Sequence, residues 1–306
     1  MKLYDLVIIG GGPAGLTAGI YAGRAKLQTL ILTGQVPGGQ IFLTYSVENY
    51  PGFPDSISGP DLVEKMMAQV KRFGAEIRRE KASRVDFSST PYRIYVGKDE
   101  ILTRSVVIAT GSSNSLLRLE SEKRLMGRGV FVCATCDAAL YEDLRVVVVG
   151  GGESALQEAL DLTRYAKKVI IVHRGPRFTT SRYLIDAVEA SNNIDTVMHH
   201  TVEEILGADF VEGVRIKDNF SEEERLIKTD GVLIAIGWVP NTALFQDELE
   251  LTEQGYIVAD GVFTSKPGIF VAGDLNDTKY RQLVTACSSG CKAALESDKY
   301  VQENPQ

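Results

Sequence analysis

Residues 4–15 read Tyr4-Asp5-Leu6-Val7-Ile8-Ile9-Gly10-Gly11-Gly12-Pro13-Ala14-Gly15. The apolar run has the length and β-branched content of a buried parallel strand, and it breaks abruptly into glycine. Leu16 to Ala25 reads as a helix, and Leu30-Ile31-Leu32 as the next strand. A β-α-β unit with Gly10, Gly12 and Gly15 at its first turn is a dinucleotide-binding pattern. One glycine makes the turn, one lets backbone approach a pyrophosphate, and one lets helix and strand pack closely. The helix N-terminus then stabilises the phosphate charge.

The pattern occurs twice. Arg145-Val146-Val147-Val148-Val149 reads as a strand, Gly150-Gly151-Gly152-Glu153-Ser154-Ala155 as its turn, Leu156 to Tyr165 as a helix and Val169-Ile170-Ile171-Val172 as the following strand. Each unit also has a strand that ends in a tight turn, Ser105 to Gly111 in the first and Gly231 to Gly237 in the second. The expected fold class is therefore α/β, with two Rossmann-like dinucleotide-binding domains. Between the units lies a helix from about Pro60 to Phe73, whose Leu62, Met66, Met67 and Val70 sit at core-facing spacing. Short strands follow within 78–96. Gly268 to Asp274 reads as a late buried strand and Gln282 to Val301 as a closing helix.

After the second strand of the first unit stand Thr33 and Gly34, with no acid to hold a ribose. The second unit has His173-Arg174 there. A basic residue at that point suits a 2'-phosphate, as in NADP, although Arg174 also reads as a solvated loop charge. Gly150, Gly152 and Ala155 fit the pyrophosphate turn.

The chain has 306 residues, 33 basic and 40 acidic, for a net charge of -7; 44% of residues are hydrophobic and 24% charged. That is ordinary globular composition for two domains and excludes a disordered chain. The acidic balance argues against nucleic-acid binding. No apolar run approaches the roughly 20 residues that span a membrane. The start, Met1-Lys2-Leu3-Tyr4-Asp5, lacks signal-peptide architecture, so a cytoplasmic location is expected.

The four cysteines are Cys133, Cys136, Cys287 and Cys291. Cys133-Ala134-Thr135-Cys136-Asp137 at a helix start can close a small disulfide ring, and a helix dipole favours a thiolate there. A metal site needs a second ligand pair, and three histidines with Cys287 and Cys291 at i, i+4 supply poor material for one. Asp137 is either a helix-start acid or the proton donor to a leaving thiolate. Cys287 and Cys291 read as small buried hydrophobes; a second redox pair is the weaker alternative.

Taken together, the chain resembles low-molecular-weight thioredoxin reductases of the bacterial and archaeal type along essentially its whole length. The cysteine motif, preceded by Gly127-Arg128-Gly129-Val130 and placed mid-chain, is the most specific match. Gly38-Gly39-Gln40, Val47 to Gly52, Ala109-Thr110-Gly111, Gly273-Asp274, Arg281-Gln282 and Thr285-Ala286 also match. The resemblance implies three-layer ββα domains, the second inserted into the first: residues 1–113 and 241–306 for FAD, and 114–240 for the pyridine nucleotide and the cysteines. It places Gly10, Gly12, Pro13, Ala14 and Gly15 at the FAD pyrophosphate. It brings Gly38, Gly39, Gln40, Asn49, Ala109, Thr110, Gly111, Gly273, Asp274, Arg281 and Gln282 around the remainder of that cofactor, Asp274 holding the ribityl chain. It makes Cys136 the thiol facing flavin C4a, Cys133 the thiol that attacks thioredoxin, and Asp137 the general acid. A homodimer is implied. So is rotation of the inserted domain on linkers near Ser112 to Leu119 and Gly237 to Asn241, since the cysteines serve flavin and partner in turn.

One departure bears on the electron donor. Family members that use NADPH commonly read His-Arg-Arg, three residues, then Arg; here Gly175 and Thr179 replace the second and last arginines, with Arg177 and Arg182 nearby. NADPH is the expected donor, with reduced ferredoxin or a deazaflavin as the alternative. The rival classes are a flavoprotein that reduces ferredoxin or oxygen, against which the two cysteines argue, and a non-enzymatic flavin redox sensor.

Overall fold

The structure is a computed structural model and describes residues 2–44 and 46–305. Met1, quoted above, lies outside the described residues. The chain divides into two compact units, Met1–Ser113 with Val239–Gln306, and Asn114–Trp238.

The first unit is built on β1 (Leu3–Ile9), α1 (Pro13–Arg24), β2 (Thr29–Leu32), α2 (Gly59–Arg72), β3 (Glu76–Arg78), β4 (Arg84–Asp86), β5 (Tyr92–Val96) and β6 (Asp99–Ile108). The strand that leaves it is β7 (Ser112–Asn114). α1 starts at Pro13, three residues before the sequence reading puts it. Proline's fixed φ and missing N–H suit a first helical position, so the helix begins directly at the glycine turn. β6 starts six residues earlier than expected because it serves two edges. It pairs in parallel with β1 from Leu102 to Ile108. Its other edge takes β5 antiparallel over 99–103, then a late parallel strand over 106–108.

The second unit contains α3 (Glu120–Leu125), β8 (Val130–Phe131), α4 (Ala134–Asp137), β9 (Arg145–Val149), α5 (Glu153–Leu162), β10 (Lys168–Val172), α6 (Arg182–Glu189) and β11 (Ile194–Val197). Then come β12 (His200–Leu206), β13 (Gly213–Asp218), β14 (Glu224–Lys228) and β15 (Gly231–Ile234). Its parallel sheet runs β11-β10-β9-β15-β8, and β12-β13-β14 form a separate antiparallel sheet. Strand β16 (Trp238–Pro240) pairs with β7, so the two segments that join the units pair with each other. The chain then completes the first unit with β17 (Ile269–Val271), the late strand on β6, and α7 (Leu283–Glu303).

Each unit is a three-layer α/β domain. In the first, Leu6 and Ile8 face α1, α2 and α7, whereas Val7 and Ile9 face Val85, Ile94 and Phe245 on the opposite side. Met66 and Met67 pack in the helix-side core. In the second, Val146 and Val148 face Leu156, Ala159 and Leu162 of α5; Val147 and Val149 face Val202, Val214 and Ile216 of the antiparallel sheet. The sequence reading assigns no strand between His200 and Lys228. Among the described residues, no helix is long and apolar enough to cross a membrane.

α7 packs on α1 as well as on β6 and β17 of the sheet. A Cβ built on Gly290 would lie 2.1 Å from the carbonyl oxygen of Ala14. Alanine normally improves a helix interior by about 1 kcal/mol over glycine. Here the overlap is with backbone, which cannot rotate away, and overpacking costs about 1–3 kcal/mol or more. Gly290→Ala is therefore expected to lower thermal stability, measured by calorimetry; an unchanged or raised melting temperature would show that α7 shifts freely on α1.

Candidate functional site

In the first unit the site forms at the carboxyl ends of the parallel strands, where open α/β sheets bind ligands. Gly10 has φ +126°, and a Cβ there would sit 2.1 Å from the Ala109 carbonyl oxygen. Only glycine passes so close to the exit of β6. Two residues on, the backbone opens: the nearest atom to a Cβ on Gly12 would be the Gly38 oxygen, 3.9 Å away. Gly12 is the N-cap of α1 and supplies no side-chain cap. Gly38 donates its N–H to Gly11 O at 2.8 Å, and a Cβ on Gly39 would reach Gly12 Cα at 3.5 Å. This side-chain-free trough over a helix N-terminus fits a pyrophosphate.

The other predicted residues converge on it. Gly273 lies against Ala14, and its N–H donates to Ser289 Oγ at 2.8 Å, tying the turn after β17 to α7. Gln282 caps α7 in a reciprocal capping box with Thr285, and Asn49 Nδ2 donates to Gln282 Oε1 at 3.4 Å. Gln40 Nε2 donates to the Ser112 carbonyl at 3.3 Å. The Ser112 hydroxyl is buried with no partner among the described residues, a group that a bound ligand or water would satisfy. Thr110 and Gly111 are clasped by Asn241, which accepts from Thr110 Oγ1 at 2.8 Å and donates to both backbone carbonyls at 2.9 Å.

Burial pushes the Asp274 carboxyl up to about 6, with Arg281 pulling it down and Asp277 adding to the rise. Arg281 holds a left-handed φ of 45° and donates to Tyr256 Oη at 3.0 Å. Cys287 is buried and free, 3.8 Å from the Tyr50 hydroxyl and 4.0 Å from Pro13 O; Cys291 is free and half-buried.

The second unit repeats the turn with different side chains. Gly150 has φ +153°, with a would-be Cβ 2.4 Å from Ala235 O, while Gly152 has nothing within 4 Å. His173 lies flat against Gly151, whose Cβ would meet its Nδ1 at 2.2 Å, and its Nε2 lies 3.1 Å from the Arg177 carbonyl. Burial lowers the His173 pKa, and Arg174 lowers it further. Thr179 donates its N–H to Gly151 O at 2.8 Å, so the 173–179 loop is fastened to the glycine turn. Arg174 and Arg177 are exposed. Arg182 pairs with Asp186 at 2.7 Å and Glu189 at 3.5 Å along its own helix.

Cys133 and Cys136 are joined as a disulfide. Cys133 is the N-cap of α4 and both cysteines are half-buried. The helix has only four residues, so its dipole is much weaker than the sequence reading supposes. The sequence also gives no sign of Glu158, whose Oε2 reaches from α5 to accept the Ala134 N–H at 3.0 Å. Asp137 donates its N–H to Cys133 O at 3.2 Å, and its charge, after burial, holds the Tyr141 hydroxyl above its usual range. Among the described residues no group of three His, Cys, Asp or Glu side chains could hold a metal ion.

Residues 4–290 match the family model described as pyridine nucleotide-disulphide oxidoreductase. The chain is 42% identical over 304 residues to a thioredoxin reductase of Rickettsia felis, covering 97% of this chain and 98% of that protein. It is 38% identical over 305 residues to a protein of Mycobacterium leprae named bifunctional thioredoxin reductase/thioredoxin, covering 99% of this chain and 67% of that one. Among solved structures, the thioredoxin reductase from Streptococcus pyogenes superposes with a TM-score of 0.95 at 35% identity, with 99% of each chain covered.

Asp274 yields a test in the apoprotein. Its native pKa of about 6 stands above the ordinary 3.8, so the folded state holds its proton to higher pH than the unfolded chain. Ionisation therefore costs stability progressively as pH rises from about 4 to 6, and the cost is constant above that. Asp274→Asn should raise the melting temperature of the apoprotein at pH 7–8, with the gain shrinking to nothing near pH 4. A gain that does not vary with pH would refute the burial of this carboxyl.

Proposed function

The chain belongs to the thioredoxin reductase family of pyridine nucleotide-disulphide oxidoreductases, and on that premise we propose that it is a flavoenzyme passing electrons from NADPH through FAD and the Cys133–Cys136 disulfide to thioredoxin. The observation that carries the reading is the half-buried C-x-x-C disulfide lying in the same unit as the second glycine turn. The fusion named in the M. leprae relative supports thioredoxin as the acceptor.

The first unit fits FAD. The trough at Gly12, Gly38 and Gly39 would take the pyrophosphate, Asp274 would hold the ribityl chain, and Gln40, Asn49 and Gln282 would lie near the flavin ring. When bound, FAD supplies the two-electron carriage between nicotinamide and disulfide. In the second unit Gly150, Gly152, Ala155 and Arg174 would hold the nicotinamide dinucleotide.

The protein's own steps balance as thiol–disulfide exchange. Two electrons and two protons open the Cys133–Cys136 bond to two thiols. Cys133 gives its proton to Asp137 and its thiolate attacks the substrate disulfide, forming a mixed disulfide and expelling one substrate thiolate, which takes that proton from Asp137. Cys136 then attacks Cys133 Sγ as its proton passes to the departing sulfur, re-forming the internal disulfide and releasing the second substrate thiol. Rotation of the inserted unit on its two linkers belongs to the same proposal, as does a homodimer as the active particle. The cytoplasm is the compartment, because a dithiol that must return to its reduced form suits a reducing space.

Cys133→Ser is expected to leave flavin reduction intact and abolish thioredoxin reduction, while Cys136→Ser stops electrons at the flavin; stopped-flow absorbance with a thioredoxin assay distinguishes them. Asp137→Asn should slow turnover by roughly 10²-fold or more. Wild-type turnover in any of the three would overturn that residue's role.

The donor gives a further test. Hydrogen bonds to charged groups contribute about 1.5–3 kcal/mol each, so a site without two arginines loses about 3–6 kcal/mol toward a 2'-phosphate. That is roughly 10²- to 10⁴-fold in affinity. With Arg182 paired along α6, only Arg174 and Arg177 remain. NADPH is expected to work at a high KM with poor discrimination against NADH. Anaerobic bleaching of the flavin by reduced ferredoxin or a deazaflavin, and by neither nicotinamide, would transfer the donor role to those carriers.

A further inference from the structure

Phe220 is 78% exposed at the turn between β13 and β14. The hairpin tip that carries it is nonetheless firmly held. The Asp218 carboxylate accepts the N–H groups of Phe220 and Ser221 at 2.8 and 3.0 Å. Asn219 donates its side-chain amide to Arg174 O at 2.9 Å and its N–H to His199 O at 2.8 Å. His199 holds a left-handed φ of 61°, donates its N–H to Gly175 O at 3.2 Å, and sets its ring 5.0 Å from that of Phe220. The tip is thus clipped to Arg174 and Gly175, the second and third residues after β10.

That position has meaning in a doubly wound sheet, since the residues just past the second strand face the adenosine half of a dinucleotide. At 175 there is no side chain to cover the ground between β10 and the hairpin, and a Cβ there would meet His173 Nε2 at 2.7 Å. The chain therefore lacks a second arginine at 175, where a 2'-phosphate would be gripped, and beside that place it fixes an exposed aromatic ring with a second ring tilted against it.

We propose that Phe220, supported by His199, is the platform on which the adenine base of the dinucleotide stacks, with Arg174 on the ribose side. This rests on the nicotinamide-dinucleotide reading of the second unit and deepens it: the site recognises the base rather than the 2'-phosphate, and so takes NADH and NADPH alike. Every adenine presents the same π-face, and loss of a base–aromatic stack costs roughly tenfold or more in affinity.

The experiment compares the FAD-loaded wild type with Phe220→Ala and Phe220→Tyr. Steady-state kinetics give KM for NADPH, NADH and thioredoxin, and titration calorimetry gives the affinity of the oxidised enzymes for ADP. Phe220→Ala should raise KM for both nicotinamides by the same factor, roughly tenfold, weaken ADP equally, and leave KM for thioredoxin unchanged. Phe220→Tyr should restore all three. Unchanged ADP affinity in Phe220→Ala overturns the proposal, and a rise confined to the thioredoxin KM assigns the ring to protein docking instead. If neither nicotinamide reduces the wild-type flavin, the donor reading fails, while ADP titration still decides Phe220: tenfold weaker binding in the alanine variant supports the platform, and no ADP binding to wild type refutes it.

Discussion

A Cβ at Gly10 would lie 2.1 Å from the carbonyl oxygen of Ala109, and one at Gly150 would lie 2.4 Å from that of Ala235. These two overlaps impose the same constraint in both units. The chain leaving the first strand must pass under the exit of the neighbouring strand with no side chain between them. Passing there turns the backbone straight into α1 or α5, leaves Gly12 and Gly152 open on the ligand side, and puts a helix N-terminus behind the opening. A single methyl group at Gly10 or Gly150 would overlap the neighbouring strand's carbonyl and force the turn to shift.

The first unit survives interruption because β6 is long enough to serve two partners along one edge. Its first half takes β5, from the same stretch of chain, and its second half takes β17, which arrives after the inserted unit. Asn241 then fastens the returning chain to Thr110 and Gly111 through three hydrogen bonds. The sheet of the first unit is complete only when both ends of the chain are present.

The two glycine turns share a backbone and differ in what surrounds them. Around the first, small residues and Gln40, Asn49 and Gln282 leave room for a large ligand. Around the second, His173 packs on Gly151 and spends its Nε2 on the Arg177 carbonyl, so the imidazole holds the loop in place. Beside it stand the exposed Arg174 and Arg177, Gly175 and the exposed Phe220. Glu158, which satisfies the first N–H of the cysteine helix, shows that α5 links the turn to the disulfide within one unit.

The glycine turns, the β-α-β order and the Cys133–Cys136 motif are local patterns, and the sequence determined them because each depends on residues a few positions apart. Gly10 needs no partner identified to be read as a turn, and two cysteines separated by two residues are near each other in any compact conformation. The boundaries of α1 and α5 slipped by three residues because the turn is tighter than hydrophobic periodicity reveals. Only the tertiary structure decided the rest. The antiparallel sheet of β12 to β14 has one half-polar face and therefore weak apolar runs, so its strands are marked by pairing rather than by composition. The pairing of Arg182 with Asp186 and Glu189 is one such contact. Glu158 lies 24 residues from Ala134 and Phe220 lies 46 from Arg174, and no periodicity relates them. Their neighbours come from strand order and hairpin placement, which depend on the packing of the whole unit and not on any short stretch of chain.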